Sequence, residues 1–200
     1  MDLSYKDIIS NFFIDHTKQT LTNGEEFTYY IDKTIGWKSL ERYPVLQYGV
    51  IKTDDIIVYN LGHDSSKQEF IRSTFDKLDR IIDLDFKEMN HNNGSMLDIY
   101  HVNSSSSFNE YEDNVIGQAL TQRSEFGSWW EIIWKDSLLG GVINLDSNLN
   151  TIIHEIGHAL GLAHPHDDPK NPSFNSEKTI MSYNKGPEGW NSWFSKTDIN

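Results

Sequence analysis

The chain contains no cysteine among its 200 residues. Disulfide bonds, thiolate ligands for zinc and a cysteine nucleophile are therefore excluded. The absence does not indicate a compartment, because cytosolic proteins and some secreted proteins both lack cysteine.

Long apolar runs are also missing, since none approaches the roughly 20 residues that cross a bilayer. The N-terminus has an acid at position 2 and no uninterrupted apolar stretch, so a secretory signal peptide is not expected. Its apolar residues instead predict one face of a short amphipathic helix, formed by Leu3, Ile8, Ile9, Phe12 and Phe13.

Basic residues are few, with 17 Lys and Arg against 30 Asp and Glu and a formal net charge of −13. Nucleic acid and anionic membranes are therefore not expected as partners. The acidic surface either serves solubility or favours cationic substrates. The length and the 37% hydrophobic content predict one folded domain with a real core.

The middle of the chain predicts a strand followed by a helix. The strand lies in residues 54–62, and the helix follows within residues 62–82. Ser66 and Glu69 have the spacing of a capping box at the start of this helix. The buried stripe of the helix is predicted to consist of Ile71, Phe75, Leu78 and Ile82.

Short strands and loops are predicted for the remainder before residue 150. The strand candidates are residues 84–89, 96–102, 117–123 and 140–147. Residues 103–114 are predicted to form a polar loop, and Trp129, Trp130 and Trp134 fall in a second loop. This order of elements predicts the α+β class.

The segment HEIGHALGLAHP, residues 154–165, concentrates three of the eight histidines. His154 and His158 are four residues apart, so on a helix they share one face, where Glu155 can reach a water beside a metal. The opposite face would anchor the helix in the core through Ile152, Ile156, Ala159 and Leu160.

His164 could not join the other two histidines on a continuous helix. Ten further residues of helix would place it about 15 Å from His154, whereas zinc–nitrogen distances are about 2.0–2.1 Å. Gly161 lies where the chain must reverse, and glycine reaches positive φ at little cost. Pro165 disfavours further helix.

Five residues of this segment together predict a catalytic zinc site: His154, Glu155, His158, Gly161 and His164. A three-histidine set leaves the fourth position of zinc open, which is typical of catalytic rather than structural zinc. Glu155 would act as general base and acid in peptide hydrolysis. By chance, all five residues would occur at this spacing at about one in ten million starting positions, so three unrelated histidines are a poor explanation.

His154, Glu155, His158, Gly161 and His164 spell HExxHxxGxxH, which resembles the metzincin metallopeptidases. That clan places a methionine-containing turn beneath the zinc, and TIMSYN supplies Met181 seventeen residues after His164. The proline after His164 and the MSY sequence resemble the serralysin-like family in particular. The resemblance implies that Tyr183 can bind zinc at rest and swing away to stabilise the oxyanion.

The resemblance covers about residues 50–199 and implies a fold. The implied fold is a metzincin-type catalytic domain with a twisted, mixed five-stranded sheet, a long helix, an active-site helix and an irregular lower lobe. Residues 55–62 resemble the family's first strand, 67–82 its long helix and 97–102 its third strand. Residues 117–123 resemble the edge strand, and a substrate is expected to lie extended along Gln118–Arg123.

The implied organisation is an N-terminal segment, residues 1–50, followed by a catalytic domain, residues 51–200. The first segment is either a propeptide or a helical extension. The catalytic domain ends where Asp198 and Ile199 resemble the start of the family's last helix, so a longer chain with a calcium-binding C-terminal domain is one expectation. The resemblance also implies secretion to the extracellular space without an N-terminal signal, and a proteinaceous inhibitor is a candidate partner.

Several other residues have a functional and a structural interpretation. Trp129 and Trp130 either line substrate pockets or form a half-buried pair. The DDP segment at 167–169 either binds calcium or forms a turn. His166 replaces the family's glycine and is either an additional metal ligand or a solvated loop residue. The remaining histidines are expected on the surface or in the core: His16, His63, His91 and His101.

The sequence thus predicts a zinc-dependent endopeptidase, and two alternative activities stay open. One alternative is a catalytically silent zinc-binding or adhesion module, which would not need Glu155. The other is a zinc amidohydrolase that acts on non-peptide amides, which the third histidine and Met181 disfavour.

Overall fold

The computed structural model describes residues 3–21, 26–40, 45–47, 50–52, 55–110, 115–125 and 127–199. The described β-strands, in chain order, are β1 (Glu26–Ile31), β2 (Gly36–Leu40), β3 (Val45–Gln47), β4 (Val50–Lys52), β5 (Ile56–Asn60), β6 (Asp85–Met89), β7 (Leu97–Ser105), β8 (Gly117–Ser124), β9 (Gly127–Trp134), β10 (Leu138–Leu139) and β11 (Val142–Ile143).

The described α-helices are α1 (Asn11–Thr20), α2 (Ser65–Leu78), α3 (Leu145–Ala159) and α4 (Lys196–Ile199). Short 3-10 helices occur at Tyr5–Asp7, Ser106–Glu110 and Pro165–Asp167. The α+β class is therefore confirmed. None of the described helices combines the length and the apolar character that crossing a membrane would require.

The central sheet is mixed and its described part has seven strands rather than the predicted five. Five of them lie side by side in the order β6-β1-β7-β9-β8. β6, β1, β7 and β9 are parallel, and β8 runs antiparallel to β9. The other two strands are added because β7 is nine residues long and its second half pairs with β5, which in turn pairs with β2.

Part of the N-terminal segment belongs to this sheet. β1 lies between β6 and β7, with Thr28 opposite Lys87 and Ile31 opposite Ile99. Every second side chain of β1 is buried and those between are more exposed, because successive side chains of a strand point to opposite faces of the sheet. The sheet therefore begins before residue 51, and β5, predicted as the first strand, is an antiparallel neighbour of β7.

Two apolar clusters cover the two faces of the sheet. On one face, α2 and α3 pack their buried residues, including Ile71, Phe75, Ile152 and Ile156, against the strands. The other face is covered by a smaller cluster: Leu40, Ile56, Val58, Tyr100, Val102, Phe108, Leu120 and Ile133. Burial on both faces explains why the first six residues of β7 are all buried.

Three predicted boundaries are wrong for local reasons. Helix α1 starts at Asn11, not near Leu3, because Ser10 caps it by accepting a hydrogen bond from the Phe13 N–H. Helix α2 is capped by Asp64 rather than by a Ser66–Glu69 box. It ends at Leu78, four residues before the predicted end.

The predicted tryptophan loop is also wrong, because Gly127–Trp134 forms the strand β9 inside the sheet. The predicted strand at residues 140–147 is reduced to β11, since α3 begins at Leu145 with Asn144 as its cap. The predicted polar loop at 103–114 starts later, because β7 continues to Ser105. Residues 111–114 of that loop lie outside the described residues.

Candidate metal centre

Helix α3 positions the first two histidines of the site. His154 and His158 are both buried, and their ring centroids are 4.8 Å apart. Their neighbours Ile152, Ile153 and Ile156 are fully buried in the main core. The aliphatic residues therefore anchor the helix and hold the imidazoles at a defined position.

The third histidine reaches the same place because the chain reverses at Gly161. This glycine has φ +106, and the Leu162 N–H donates to the Gly157 carbonyl at 2.9 Å. The reversal places His164 Nε2 3.2 Å from His154 Nε2. The structure thus brings His154, His158 and His164 together, with one ligand atom from each lying within 4.8 Å of the others.

The donor set fits a metal ion. His154 Nδ1 lies 2.8 Å from the Ile180 carbonyl, and His158 Nδ1 lies 2.8 Å from the Leu162 carbonyl. A carbonyl can only accept, so each Nδ1 carries the proton and each Nε2 presents a lone pair. Four ligands at about 2.0–2.1 Å around a tetrahedral zinc would be about 3.3 Å apart, close to the observed separation.

Burial keeps all three imidazoles in the neutral form that binds metals. Desolvation lowers the pKa of His154 well below its usual value. The same cause lowers the pKa of His158 to about 3 and that of His164 to about 4. Near neutral pH the site therefore offers three neutral nitrogen donors, and protons do not compete with a metal ion for them.

Glu155 lies between α3 and the edge strand β8. Its carboxylate accepts a hydrogen bond from the Ala119 backbone N–H. A Cβ atom at Gly117 would lie 2.6 Å from Glu155 Oε1 and 2.5 Å from Thr151 Cγ2, so a side chain at this position would displace one of them. Burial raises the pKa of Glu155 to about 8, and the Ala119 hydrogen bond opposes part of that shift.

Tyr183 borders the histidine cluster. Its ring centroid lies 5.2 Å from that of His154 and 5.0 Å from that of His164. The Tyr183 backbone N–H donates to the Pro169 carbonyl at 2.8 Å, which holds the residue beside the site. Desolvation and the nearby Glu155 raise the pKa of Tyr183, so the phenol keeps its proton.

Met181 lies under α3 in a turn held by Asp198. The methionine is fully buried, and a Cβ atom at Gly157 would lie 2.9 Å from its Sδ. Asp198 accepts from the Thr179 hydroxyl at 2.5 Å and from the Ile180 N–H at 3.0 Å. Since the Ile180 carbonyl orients His154, Asp198 supports the site through this turn.

Sequence reasoning missed the supporting roles of Asp198, Gly117 and Gly157. The only signal for Asp198 was its place at the start of a final helix, and the structure does begin α4 at Lys196. No local pattern marks the two glycines, because the side chains that leave no room for a Cβ atom there come from residues distant in sequence.

The edge strand leaves one side open among the described strands, where β8 pairs with β9 alone. Trp130 does not line a pocket, because it is 0% exposed and packs against Phe13 and His16. Trp129 is half-buried, and its carbonyl is bonded to His16 Nε2 at 2.9 Å.

The other histidines lie outside the cluster. His16, His63 and His101 are buried in the core, and His91 is exposed, as the structural interpretation predicts. His166 follows the site in a 3-10 helix, with its Nδ1 3.7 Å from Asp7 Oδ1. The Asp168 carboxylate accepts from the Lys170 N–H at 3.2 Å, and a turn follows at 169–170.

No protein-family model matches this chain, and a search of curated proteins finds no match either.

Proposed function

We propose that this protein is a zinc-dependent endopeptidase of metzincin type. The observation that supports the proposal most is the convergence of three histidine nitrogens beside a buried glutamate. A site that only bound a metal would need the three nitrogens but would not need a buried carboxylate next to them. The position of Met181 beneath the histidine-bearing helix supports the metzincin type.

Zinc is the proposed metal because an all-imidazole set with an open fourth position suits catalytic zinc. When bound, zinc polarises a carbonyl group and makes water acidic enough to lose a proton near neutral pH. His154 and His158 contribute their Nε2 atoms, oriented by the Ile180 and Leu162 carbonyls. Outer partners of this kind hold the imidazoles in the ligating tautomer.

Glu155 is the proposed general base and acid. Its carboxylate takes a proton from the attacking water and later delivers it to the leaving amine. Burial raises the pKa of Glu155 to about 8 in the metal-free protein, and a nearby zinc ion would favour the carboxylate form that accepts a proton. The Ala119 N–H and the absence of a side chain at Gly117 hold the carboxylate in place.

Tyr183 is the proposed partner of the developing oxyanion. Its phenol retains a proton across the neutral range because its pKa is raised, so it remains a hydrogen-bond donor. Its ring contacts both His154 and His164, which places it at the border of the site. The same position would let the phenol oxygen act as a ligand when substrate is absent.

The proposed substrate is a polypeptide in extended conformation. The edge strand β8 begins at Gly117, against Glu155, and continues through Gln118–Arg123. Its outer backbone groups can pair with an added strand, which is a common mode of peptide recognition. Such pairing would place a peptide bond of the substrate beside Glu155. It would recognise the extended main chain of the substrate more than its side chains.

The test is hydrolysis of unfolded casein and of a peptide library by the zinc-loaded protein and by Glu155→Gln. We expect cleavage by the wild type and a loss of at least about 100-fold in the variant, with one zinc still bound. A wild type that binds zinc but cleaves nothing would indicate the silent binding module. Cleavage of small non-peptide amides alone would indicate an amidohydrolase, and equal cleavage by both proteins would contradict the role of Glu155.

A further inference from the structure

The segment before α1 pairs with the turn that carries the third histidine. Ile9 and Leu162 form an antiparallel β-bridge. The Ala163 N–H donates to the Ile8 carbonyl at 2.7 Å, and the Ser10 N–H donates to the Gly161 carbonyl at 3.0 Å. Leu162 is thus fixed by backbone hydrogen bonds on both sides.

The same turn orients the second histidine. Between the two bridging bonds, the Leu162 carbonyl accepts the hydrogen bond from His158 Nδ1 at 2.8 Å. Leu162 also precedes His164 by only two residues. The bridge to residues 8–10 therefore restrains one ligand through a hydrogen bond and another through the chain.

Helix α1 adds side-chain contacts to this bridge. The Thr17 hydroxyl donates to the Ala159 carbonyl at the end of α3, at 2.8 Å. The Phe13 ring meets the His158 ring edge to face, with centroids 5.2 Å apart and an interplanar angle of 66°. A Cβ atom at Gly161 would lie 2.7 Å from Ile14 Cγ1, so α1 packs directly on the reversal.

We propose that residues 8–17 are a positioning element of the metal centre, acting through Leu162 on His158 and His164. Its positioning groups are the Ser10 backbone N–H and the Phe13 ring, and neither belongs to the ligand set. This inference rests on the proposed function only in requiring that the three histidines bind zinc. It predicts the opposite effect from the propeptide hypothesis. Weakening these contacts should weaken metal binding, whereas loosening a propeptide should increase activity.

The first test compares Ser10→Pro with Ser10→Ala in the full chain. Proline removes the N–H that bonds to Gly161, whereas alanine keeps this N–H and loses only the helix cap. Zinc affinity is measured by competition with a chromophoric chelator, and folding by circular dichroism of the metal-free proteins. We expect about 10- to 100-fold weaker zinc binding in Ser10→Pro and unchanged binding in Ser10→Ala.

The second test compares Phe13→Leu with Phe12→Leu, because Phe12 is its exposed neighbour on the same helix. We expect weaker zinc binding and an altered visible spectrum of the cobalt-substituted protein in Phe13→Leu alone. This pair decides the matter if Ser10→Pro does not fold. The inference is overturned if the folded Ser10→Pro and Phe13→Leu variants keep the zinc affinity and cobalt spectrum of the wild type. Tighter zinc binding in these variants would overturn it as well.

The metal readout separates this inference from the proposed function. A wild-type protein that binds no zinc would overturn both. A wild type that binds zinc without cleaving peptides overturns the peptidase proposal and leaves the positioning role to be decided by the four variants. Peptide cleavage with unchanged zinc binding in those variants overturns the positioning role alone.

Discussion

His154 Nε2 and His164 Nε2 lie 3.2 Å apart although ten residues separate the two histidines in the chain. On a continuous helix the same separation would span about 15 Å. The reversal at Gly161 removes this distance, and the segment around Ser10 holds the reversed chain in place. The histidine cluster therefore depends on a turn and on the contacts that support this turn as much as on the histidines themselves.

Replacing His164 by alanine should remove one of three nitrogen donors. We expect zinc affinity to fall by more than the roughly 10- to 100-fold that loss of an outer partner costs. The matched control is His166→Ala, since this neighbouring side chain is 44% exposed and lies against Asp7 and Phe174. Chelator competition measures both, and equal affinity of the two variants would contradict the three-histidine site.

Gly117→Ala should displace Glu155 without removing a ligand. The added Cβ would lie closer to the Glu155 carboxylate and to Thr151 than van der Waals contact allows, so the carboxylate has to move. We expect peptide hydrolysis to fall by about 100-fold, the usual contribution of a well-placed base, while zinc affinity changes little. Ala119→Gly, which keeps the N–H bonded to Glu155, is the control in the same strand and should retain activity.

Asp198→Ala should weaken zinc binding from outside the site. The carboxylate holds the Thr179 hydroxyl and the Ile180 N–H, and the Ile180 carbonyl orients His154. We expect about 10-fold weaker zinc binding and a lower melting temperature. Asp198→Asn should retain most of the affinity, because its amide can accept from Ile180 and donate to Thr179. Equal losses in the two variants would count against this account.

His63 should make the fold sensitive to acid. His63 Nδ1 donates to the Asp32 carbonyl at 2.8 Å, and its Nε2 accepts from Trp134 Nε1 at 3.0 Å. A second ring proton would face the Trp134 donor, and burial lowers the pKa of His63 from 6.5 to about 4. The unfolded chain binds this proton first, so stability is intact above pH 6.5 and falls between pH 6.5 and 4.

The matched variant is His63→Gln, whose amide can donate to Asp32 and accept from Trp134 without titrating. Between pH 7 and 4, the wild type should lose about 3 kcal/mol more unfolding free energy than the variant. Urea unfolding of the metal-free proteins at several pH values measures this difference. The other buried histidines titrate in both proteins, so parallel curves would show that His63 does not contribute.

The local geometry of the site was predictable because it follows from helix spacing. His154 and His158 are four residues apart, and Gly161 is the residue that can reverse the chain at φ +106. By contrast, the sequence around Trp129, Trp130 and Trp134 predicts a loop, whereas the structure has the strand β9 there. The strand is buried along most of its length, so its sequence GSWWEIIW lacks the alternation that identifies half-buried strands.

The N-terminal strand β1 shows the same limit at the level of the sheet. Its alternating burial is compatible with an edge or an internal position, and only pairing with β6 and β7 places it inside. The predicted division at residue 51 relied on resemblance, which does not extend to the first segment. Zinc as the metal, peptide hydrolysis and an extracellular location stay predictions.

The sequence by itself determined the α+β class, the histidine face of α3 and the reversal at Gly161, because periodicity and glycine conformation act over a few residues. Only the tertiary structure decided which distant groups support that site. Ser10 meets Gly161, Phe13 meets His158, and Asp198 meets Ile180. Such contacts depend on how the elements pack together, and no local pattern in the chain specifies them.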